Sequence, residues 1–237
     1  MTVRLKCLQI QSGRFQGNNM KQLFIKQNHS QKLNLIFLGY GQDGAIFDSL
    51  KNRECEDIAL VYDYENDDFD ISLYREYSSI NLIAWSMGVM IAPKVLKQHG
   101  ILDKVVSSSA INGTLEGIDD NYGIPPKIWD ATIDALCESA VLKFYRRMCF
   151  DAELYEEFLK HKPQRSVESL KAELIYIREF AKKPSVKNFF YTNAFIGLKD
   201  KIIAPANQKK SFSKTETVFQ EIECAHYNYE LFSKQLL

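Results

Sequence analysis

Ile83-Ala84-Trp85-Ser86-Met87-Gly88-Val89 runs from an apolar strand through a Ser-x-Gly turn into an apolar helix. A serine on a sharp strand-to-helix turn needs small residues two before and two after it, so that strand and helix can approach. Gly88 meets that need, and Ala84 stands where glycine is usual; one added methyl leaves the turn sterically reachable. Outward from this turn, short apolar runs alternate with amphipathic segments. Strands are expected at Met20 to Gln27, Leu33 to Leu38, Ile58 to Tyr62, Ile80 to Trp85, Val105 to Ile111, Phe189 to Ile196 and Thr217 to Ile222. Helices are expected at Gly44 to Leu50, Met87 to Gln98, Pro205 to Phe212 and Tyr227 to Leu237. Continuous apolar runs suit strands buried on both faces of a parallel sheet. Alternation of the two element types predicts a doubly wound α/β sheet with right-handed crossovers.

The rhythm breaks between Thr114 and Ser185, a stretch that reads as about three helices without a strand. Pro125 and Pro126 open one of them at first-turn positions. Ser166 is the expected N-cap of another, with Val167, Leu170, Leu174 and Ile177 along one face. A helical block between two sheet strands is expected to cap the sheet's C-terminal edge, where open α/β sheets bind ligands. The organisation is therefore a core of residues 20–113 and 186–237, a cap of residues 114–185, and a preceding extension of residues 1–19. Met1 to Asn19 has no acidic residue and no clear periodicity. It is expected to be disordered or untranslated, with the true start at Met20; a short basic arm is the alternative.

The chain has 237 residues, 30 Lys+Arg against 30 Asp+Glu, and 46% apolar residues. That length buries a full core without staples, and the composition lies far from the regime of disorder. Binding nucleic acid by bulk phosphate neutralisation needs a basic excess that is absent here. No apolar run is long enough to cross a membrane as a helix, and no apolar stretch of signal-peptide type follows the N-terminal basic residues. The five cysteines, Cys7, Cys55, Cys137, Cys149 and Cys224, form no CxxC pair. Buried free thiols in a reducing cytosol are the expectation.

A serine hydroxyl becomes nucleophilic when a histidine takes its proton, and the histidine needs an acid to fix its tautomer. With the serine on such a turn, the chain order is Ser, then Asp or Glu, then His. Of His29, His99, His161 and His226, only His226 follows the last expected strand, in Glu223-Cys224-Ala225-His226-Tyr227. Asp200, in Gly197-Leu198-Lys199-Asp200-Lys201, lies directly after a strand and ahead of His226, where the acid belongs. Ser86, Asp200 and His226 are thus the candidate catalytic residues. The backbone N–H of Met87 is one expected oxyanion donor, and the N–H of Tyr40, in Phe37-Leu38-Gly39-Tyr40-Gly41-Gln42, is the other. Gly39-Tyr40-Gly41 is too short for a phosphate-binding loop and lacks its Lys-Ser/Thr pair. A metal site is unsupported, since no two histidines lie within ten residues of one another. No cofactor is expected.

Further stretches carry a resemblance: Val61-Tyr62-Asp63-Tyr64, Ile111-Asn112-Gly113-Thr114, Tyr122-Gly123-Ile124-Pro125, Phe144-Tyr145-Arg146-Arg147-Met148-Cys149, and Asp200-Lys201-Ile202 with Ala204-Pro205-Ala206-Asn207-Gln208. With Gly39-Tyr40-Gly41, Ala84-Trp85-Ser86-Met87-Gly88-Val89 and Glu223-Cys224-Ala225-His226-Tyr227, these stretches make the chain resemble the BioG type of pimeloyl-[acyl-carrier protein] methyl ester esterase. The likeness runs from about Met20 to the C-terminus, and the Ala84-Trp85 form of the turn is the one this family uses.

The resemblance implies an α/β-hydrolase-type fold: a mostly parallel, doubly wound sheet with an inserted helical cap. It also implies hydrolysis, through Ser86, His226 and Asp200, of a methyl ester at the far end of a carrier-bound pimeloyl chain, late in pimeloyl formation for biotin. The thioester at the other end must survive although it is the more electrophilic group, so the cap is expected to discriminate by geometry. An acidic carrier protein is the implied partner. The segment Glu116 to Lys183 holds 11 Lys/Arg against 13 acids, so docking would rest on local clusters. Lys143 with Arg146 and Arg147 is one, and Lys160, Lys162 and Arg165 the other; a solvated or internally paired helix face is the alternative. Trp85, Tyr122, Trp129 and Phe144 are expected to line an acyl tunnel or, alternatively, plain core.

Overall fold

The computed structural model describes residues 20–52 and 54–237. The expectation for residues 1–19 lies outside them. Seven strands form one sheet: β1 (Lys21–Lys26), β2 (Lys32–Phe37), β3 (Asp57–Tyr62), β4 (Ser79–Trp85), β5 (Val105–Ile111), β6 (Asn193–Gly197) and β7 (Val218–Ile222). Their order across the sheet is β1-β3-β2-β4-β5-β6-β7. Only β1 pairs antiparallel, against β3; the other neighbours are parallel. The burial of β2 and β4, almost complete along both strands, explains their apolar runs, interrupted only at Asn34 and Asn81, which hydrogen-bond to each other at 2.8 Å. The edge strand β1 is half-covered and alternates accordingly.

The helices are α1 (Gly88–Gln98), α2 (Pro126–Asp134), α3 (Glu138–Cys149), α4 (Ala152–Lys160), α5 (Val167–Phe180), α6 (Pro205–Phe212) and α7 (Tyr229–Lys234). Gly44–Asn52 is a 3-10 helix. Four helices, not three, stand between β5 and β6. The additional one, α4, starts at Asp151, whose carboxylate accepts from the Leu154 N–H at 2.8 Å. Ser166 caps α5 by accepting from the Ser169 N–H. β6 begins at Asn193 rather than Phe189: Asn188 takes a left-handed φ of 61°, and the ladders with β5 and β7 both start at Asn193. Helix α7 begins two residues late because Asn228 caps it.

The sheet separates two apolar clusters. One contains Leu35, Phe37, Leu82, Val89 and Ala110, joined by Trp129 of α2 and by Leu170, Leu174, Ile177 and Phe180 of α5. The other contains Ile36, Leu38, Ile83, Trp85 and Phe232, joined by Tyr145, Met148 and Cys149 of α3 and by Phe158 of α4. The inserted helices therefore divide in pairs, α2 against α5 and α3 against α4. Of the described cysteines, Cys149 and Cys224 are buried, Cys55 is half-buried and Cys137 is exposed, so the expectation of buried thiols holds for two. Among the described residues no helix is long and apolar enough to cross a membrane.

Candidate active site

Ser86 sits between the end of β4 and the start of α1 with a left-handed φ of 55°, a conformation costly for a residue with a Cβ. Its Oγ lies 2.9 Å from His226 Nε2, and His226 Nδ1 lies 2.8 Å from Asp200 Oδ2. The structure thus brings the three sequence-selected side chains into one hydrogen-bonded line from the ends of β4, β6 and β7. All three are almost fully buried: Ser86 is 5%, Asp200 5% and His226 1% exposed. With Nδ1–H donated to the carboxylate, the Nε2 lone pair faces the Ser86 hydroxyl, the arrangement that lets an imidazole take the serine proton.

Asp200 is held on every side. Its Oδ1 accepts from the N–H groups of Ile202 at 2.7 Å and Ile203 at 3.0 Å, and its Oδ2 accepts from Gln208 Nε2 at 2.8 Å. Gln208, on α6, also donates to the Ile203 carbonyl and was not singled out by sequence reasoning. The same holds for Asn112. Its Nδ2 donates to the carbonyls of Ala225 and His226, each at 2.9 Å, while its Oδ1 accepts from the Gly197 N–H at 2.6 Å. One buried asparagine at the end of β5 thereby ties the acid-bearing strand β6 to the histidine loop. The Ile111-Asn112-Gly113 stretch was the available signal.

Gly39 packs on the serine: a Cβ there would lie 2.9 Å from Ser86 Cβ, so only glycine brings this loop so close. Among the described residues the backbone N–H groups of Tyr40 and Met87 donate to no protein group. They remain open for an oxygen bound beside Ser86. The Tyr40 ring packs edge-on against Phe144 and Trp129, and burial pushes its phenol far above the ordinary value.

A pocket of about 520 Å³, counted with its open mouth, covers Ser86. Trp129, Phe144, Leu174 and Ile202 make apolar walls, and Arg147 is the charged side chain in the lining. The mostly apolar wall is that of a small-molecule site. A second apolar pocket of about 320 Å³, likewise counted with its open mouth, shares Tyr40 and Phe144 in its lining. Two residues expected in the lining stand elsewhere. Trp85 is fully buried behind the serine, where its Nε1 donates to the His226 carbonyl at 3.0 Å and its ring packs on His226 and Phe232. Tyr122 lies under Lys214, outside the pocket.

The two basic clusters differ. Arg147 donates to the Lys201 carbonyl at 3.0 Å, while Arg146 donates to the Asp151 carbonyl and lies over the Tyr155 ring. Arg165 does not form a surface patch with Lys160 and Lys162. Its side chain is 6% exposed and paired with Asp63, Glu65 and Glu173, and Lys160 is paired with Glu157.

The family model described as "Pimeloyl-ACP methyl esterase BioG" matches residues 20–235. The chain is 39% identical over 204 residues to a malonyl-[acyl-carrier protein] O-methyltransferase of Bacteroides fragilis, a match covering 85% of this chain and 41% of that protein. It thus spans about two fifths of the length of that relative. It is 36% identical over 206 residues to an uncharacterized protein of Haemophilus influenzae, covering 86% of this chain and 92% of that one. The crystal structure of BioG from Haemophilus influenzae superposes with a TM-score of 0.77 at 34% identity, covering 90% of this chain and 97% of that one.

Proposed function

The chain belongs to the BioG family of α/β-hydrolases, and from that footing we propose that it is a serine carboxylesterase acting on the terminal methyl ester of pimeloyl-[acyl-carrier protein]. The observation that carries this reading is the buried line from Ser86 through His226 to Asp200 under an apolar pocket. His226 takes the Ser86 proton as Oγ attacks the ester carbonyl; the negative oxygen settles on the N–H groups of Tyr40 and Met87. Collapse of this intermediate expels methoxide, which takes the proton back from His226 and leaves as methanol. Water activated by the same histidine then hydrolyses the acyl-enzyme, releasing a carboxylate and free Ser86.

Residues 114–185 act in this reading as the cap that admits the distal end of the acyl chain while the carrier stays outside. Trp129 and Phe144 flank the chain, and Arg147, at the pocket and bonded to the Lys201 carbonyl, is the cation closest to the route. The carrier's acidic surface meets Arg147 with exposed Arg146. Trp85 serves as support for His226, not as a substrate contact. The enzyme works in the cytosol, without metal or cofactor.

The test is the release of methanol from a methyl-pimeloyl carrier conjugate by wild type and Ser86→Ala. Wild type is expected to cleave the methyl ester, and Ser86→Ala to lose at least about a thousandfold in kcat. Equal rates for the two proteins would refute the reading. Preferential cleavage of the thioester would replace it with a thioesterase of the same fold. Reversing charge at Arg146 and Arg147 should raise KM for the carrier-bound ester by more than for p-nitrophenyl acetate; equal loss on both would remove the docking role.

A further inference from the structure

We propose that Glu173 is a positioning residue for the oxyanion donor at Tyr40, delivered to the site by an inserted helix. The inference rests on the serine-esterase reading above. Glu173 lies on α5, is fully buried, and points a carboxylate at the loop that passes over Ser86. Its Oε2 accepts from the Gly41 N–H at 3.0 Å, one residue beyond the N–H that must meet the oxyanion. Its Oε1 accepts from the Tyr64 N–H at 3.2 Å. Tyr64 in turn donates from its phenol to the Leu38 carbonyl at 2.7 Å, so the carboxylate reaches the loop from both ends.

Among the described residues little else holds the loop at Tyr40: the Leu38 N–H donates to the Val61 carbonyl at 2.9 Å, two residues before it. The Tyr40 hydroxyl is buried without a partner, so packing against Trp129 and Phe144 holds the ring, and no bond of its own fixes it. Gln42 donates to the Tyr40 carbonyl at the long distance of 3.3 Å. A buried carboxylate costs much unless it is paired and fully hydrogen-bonded. Arg165 supplies the pairing: its Nη1 meets Glu173 Oε2 at 2.5 Å, and its Nη2 meets Asp63 and Glu65. The three carboxylates and one guanidinium join α5 and the segment before it to the loop after β3. Seating of the inserted helices and aim of the Tyr40 N–H are consequently one event. An enzyme with its helices displaced would keep Ser86, His226 and Asp200 in line and lack a fixed oxyanion donor.

Glu173→Gln keeps shape but turns an NH2 group toward one of the two N–H donors. Glu173→Asp keeps the charge and withdraws it by one methylene. Glu173→Gln is expected to lower kcat on the methyl ester by about 10- to 100-fold, below the roughly 100- to 1000-fold loss for an oxyanion donor removed outright, with KM within about twofold. The inhibition constant of a trifluoromethyl ketone, whose hemiketal oxygen takes the oxyanion's place, should rise by the same factor. Glu173→Asp should fall between wild type and Glu173→Gln, and it decides the matter if Glu173→Gln does not fold. Unchanged kcat in the folded variants would overturn the proposal, and so would a kcat loss that leaves the ketone's affinity intact. Ser86→Ala runs alongside: its retained activity would defeat the esterase reading itself, whereas an inactive Ser86→Ala beside fully active Glu173 variants defeats this inference alone.

Discussion

Replacing Gly88 with alanine tests how tightly the serine turn is built. A Cβ at Gly88 would stand 2.4 Å from the Phe37 carbonyl oxygen and 2.7 Å from that of Leu38. Carbon–oxygen contacts in proteins begin at about 3.3 Å, so α1 and the end of β2 must separate by roughly 0.9 Å from the present 2.4 Å. Both partners are backbone, so no side chain can rotate away, and the cost belongs at the upper end of overpacking, about 3 kcal/mol. In urea that is a midpoint lower by about 1 M for an ordinary denaturant slope. The shift also carries Leu38, Gly39 and Tyr40 away from Ser86. A misplacement near 1 Å is worth about a hundredfold in rate, and the loss should fall mainly on kcat because the oxyanion donor moves while the walls at Trp129, Phe144, Leu174 and Ile202 stay.

Gly100→Ala is the control in which only the backbone is strained. Gly100, unlike the helical Gly88, has a left-handed φ of +70°, and a Cβ there meets nothing within 4 Å. It should cost about 1 kcal/mol of stability from the backbone alone and leave kcat unchanged. The assays are urea unfolding followed by fluorescence and steady-state hydrolysis of a p-nitrophenyl ester. If Gly88→Ala unfolds at the same urea concentration as Gly100→Ala and keeps its kcat, the close approach of α1 to β2 is not what holds the turn.

Asn112→Ala removes three buried hydrogen bonds and leaves the Ala225 carbonyl and the Gly197 N–H unpaired, while the His226 carbonyl keeps the Trp85 Nε1 donor. The expected loss is about 3 kcal/mol by urea unfolding, with at least a tenfold fall in kcat as the His226 loop loosens. Among the described cysteines, Cys137 should be alkylated first by iodoacetamide. It is exposed, and hydrogen bonds from Ser139 and the Ala140 backbone lower its thiol, whereas burial pushes Cys149 up to about 12. Peptide mass spectrometry at short reaction times checks the order. Burial raises Glu173 from an ordinary 4.5 to about 7, against the opposing pull of Arg165 and the Tyr64 and Gly41 N–H groups, with Asp63 adding to the rise. Between those pH values the folded protein holds a proton that the unfolded chain has released. This group's contribution to stability is therefore full below pH 4.5 and lost as pH rises through 7. Urea unfolding from pH 5 to pH 8 should show that fall in wild type and a weaker one in Glu173→Gln.

What was legible in the sequence was whatever the chain states locally. The apolar runs of β2 to β4, the prolines opening α2 and α6, the Ser166 cap and the loop positions of Asp200 and His226 all depend on residues a few places apart. What was not legible depends on distant pairing. Arg165 reads as one more cation beside Lys160 and Lys162, because its carboxylates at Asp63 and Glu65 come from a loop about a hundred residues away. Trp85 reads as pocket wall because it neighbours Ser86, yet alternation along β4 turns successive side chains to opposite faces and sends it behind the site. Glu173 sits on the α5 face that carries Leu170, Leu174 and Ile177, and its charge pattern hides the role that burial gives it.

The pairing of the inserted helices bears on how the molecule comes apart. Because α2 and α5 complete the apolar layer on one side of the sheet while α3 and α4 complete the other, no cut through the chain removes the four helices and leaves a sealed remainder. Splicing β5 directly to β6 would uncover Tyr40 and Tyr227, which pack on Trp129 and Phe158, and expressing residues 114–185 alone would strand Trp129 and Phe180 from one layer and Tyr145 and Phe158 from the other. Sheet and helices should accordingly melt in a single cooperative transition.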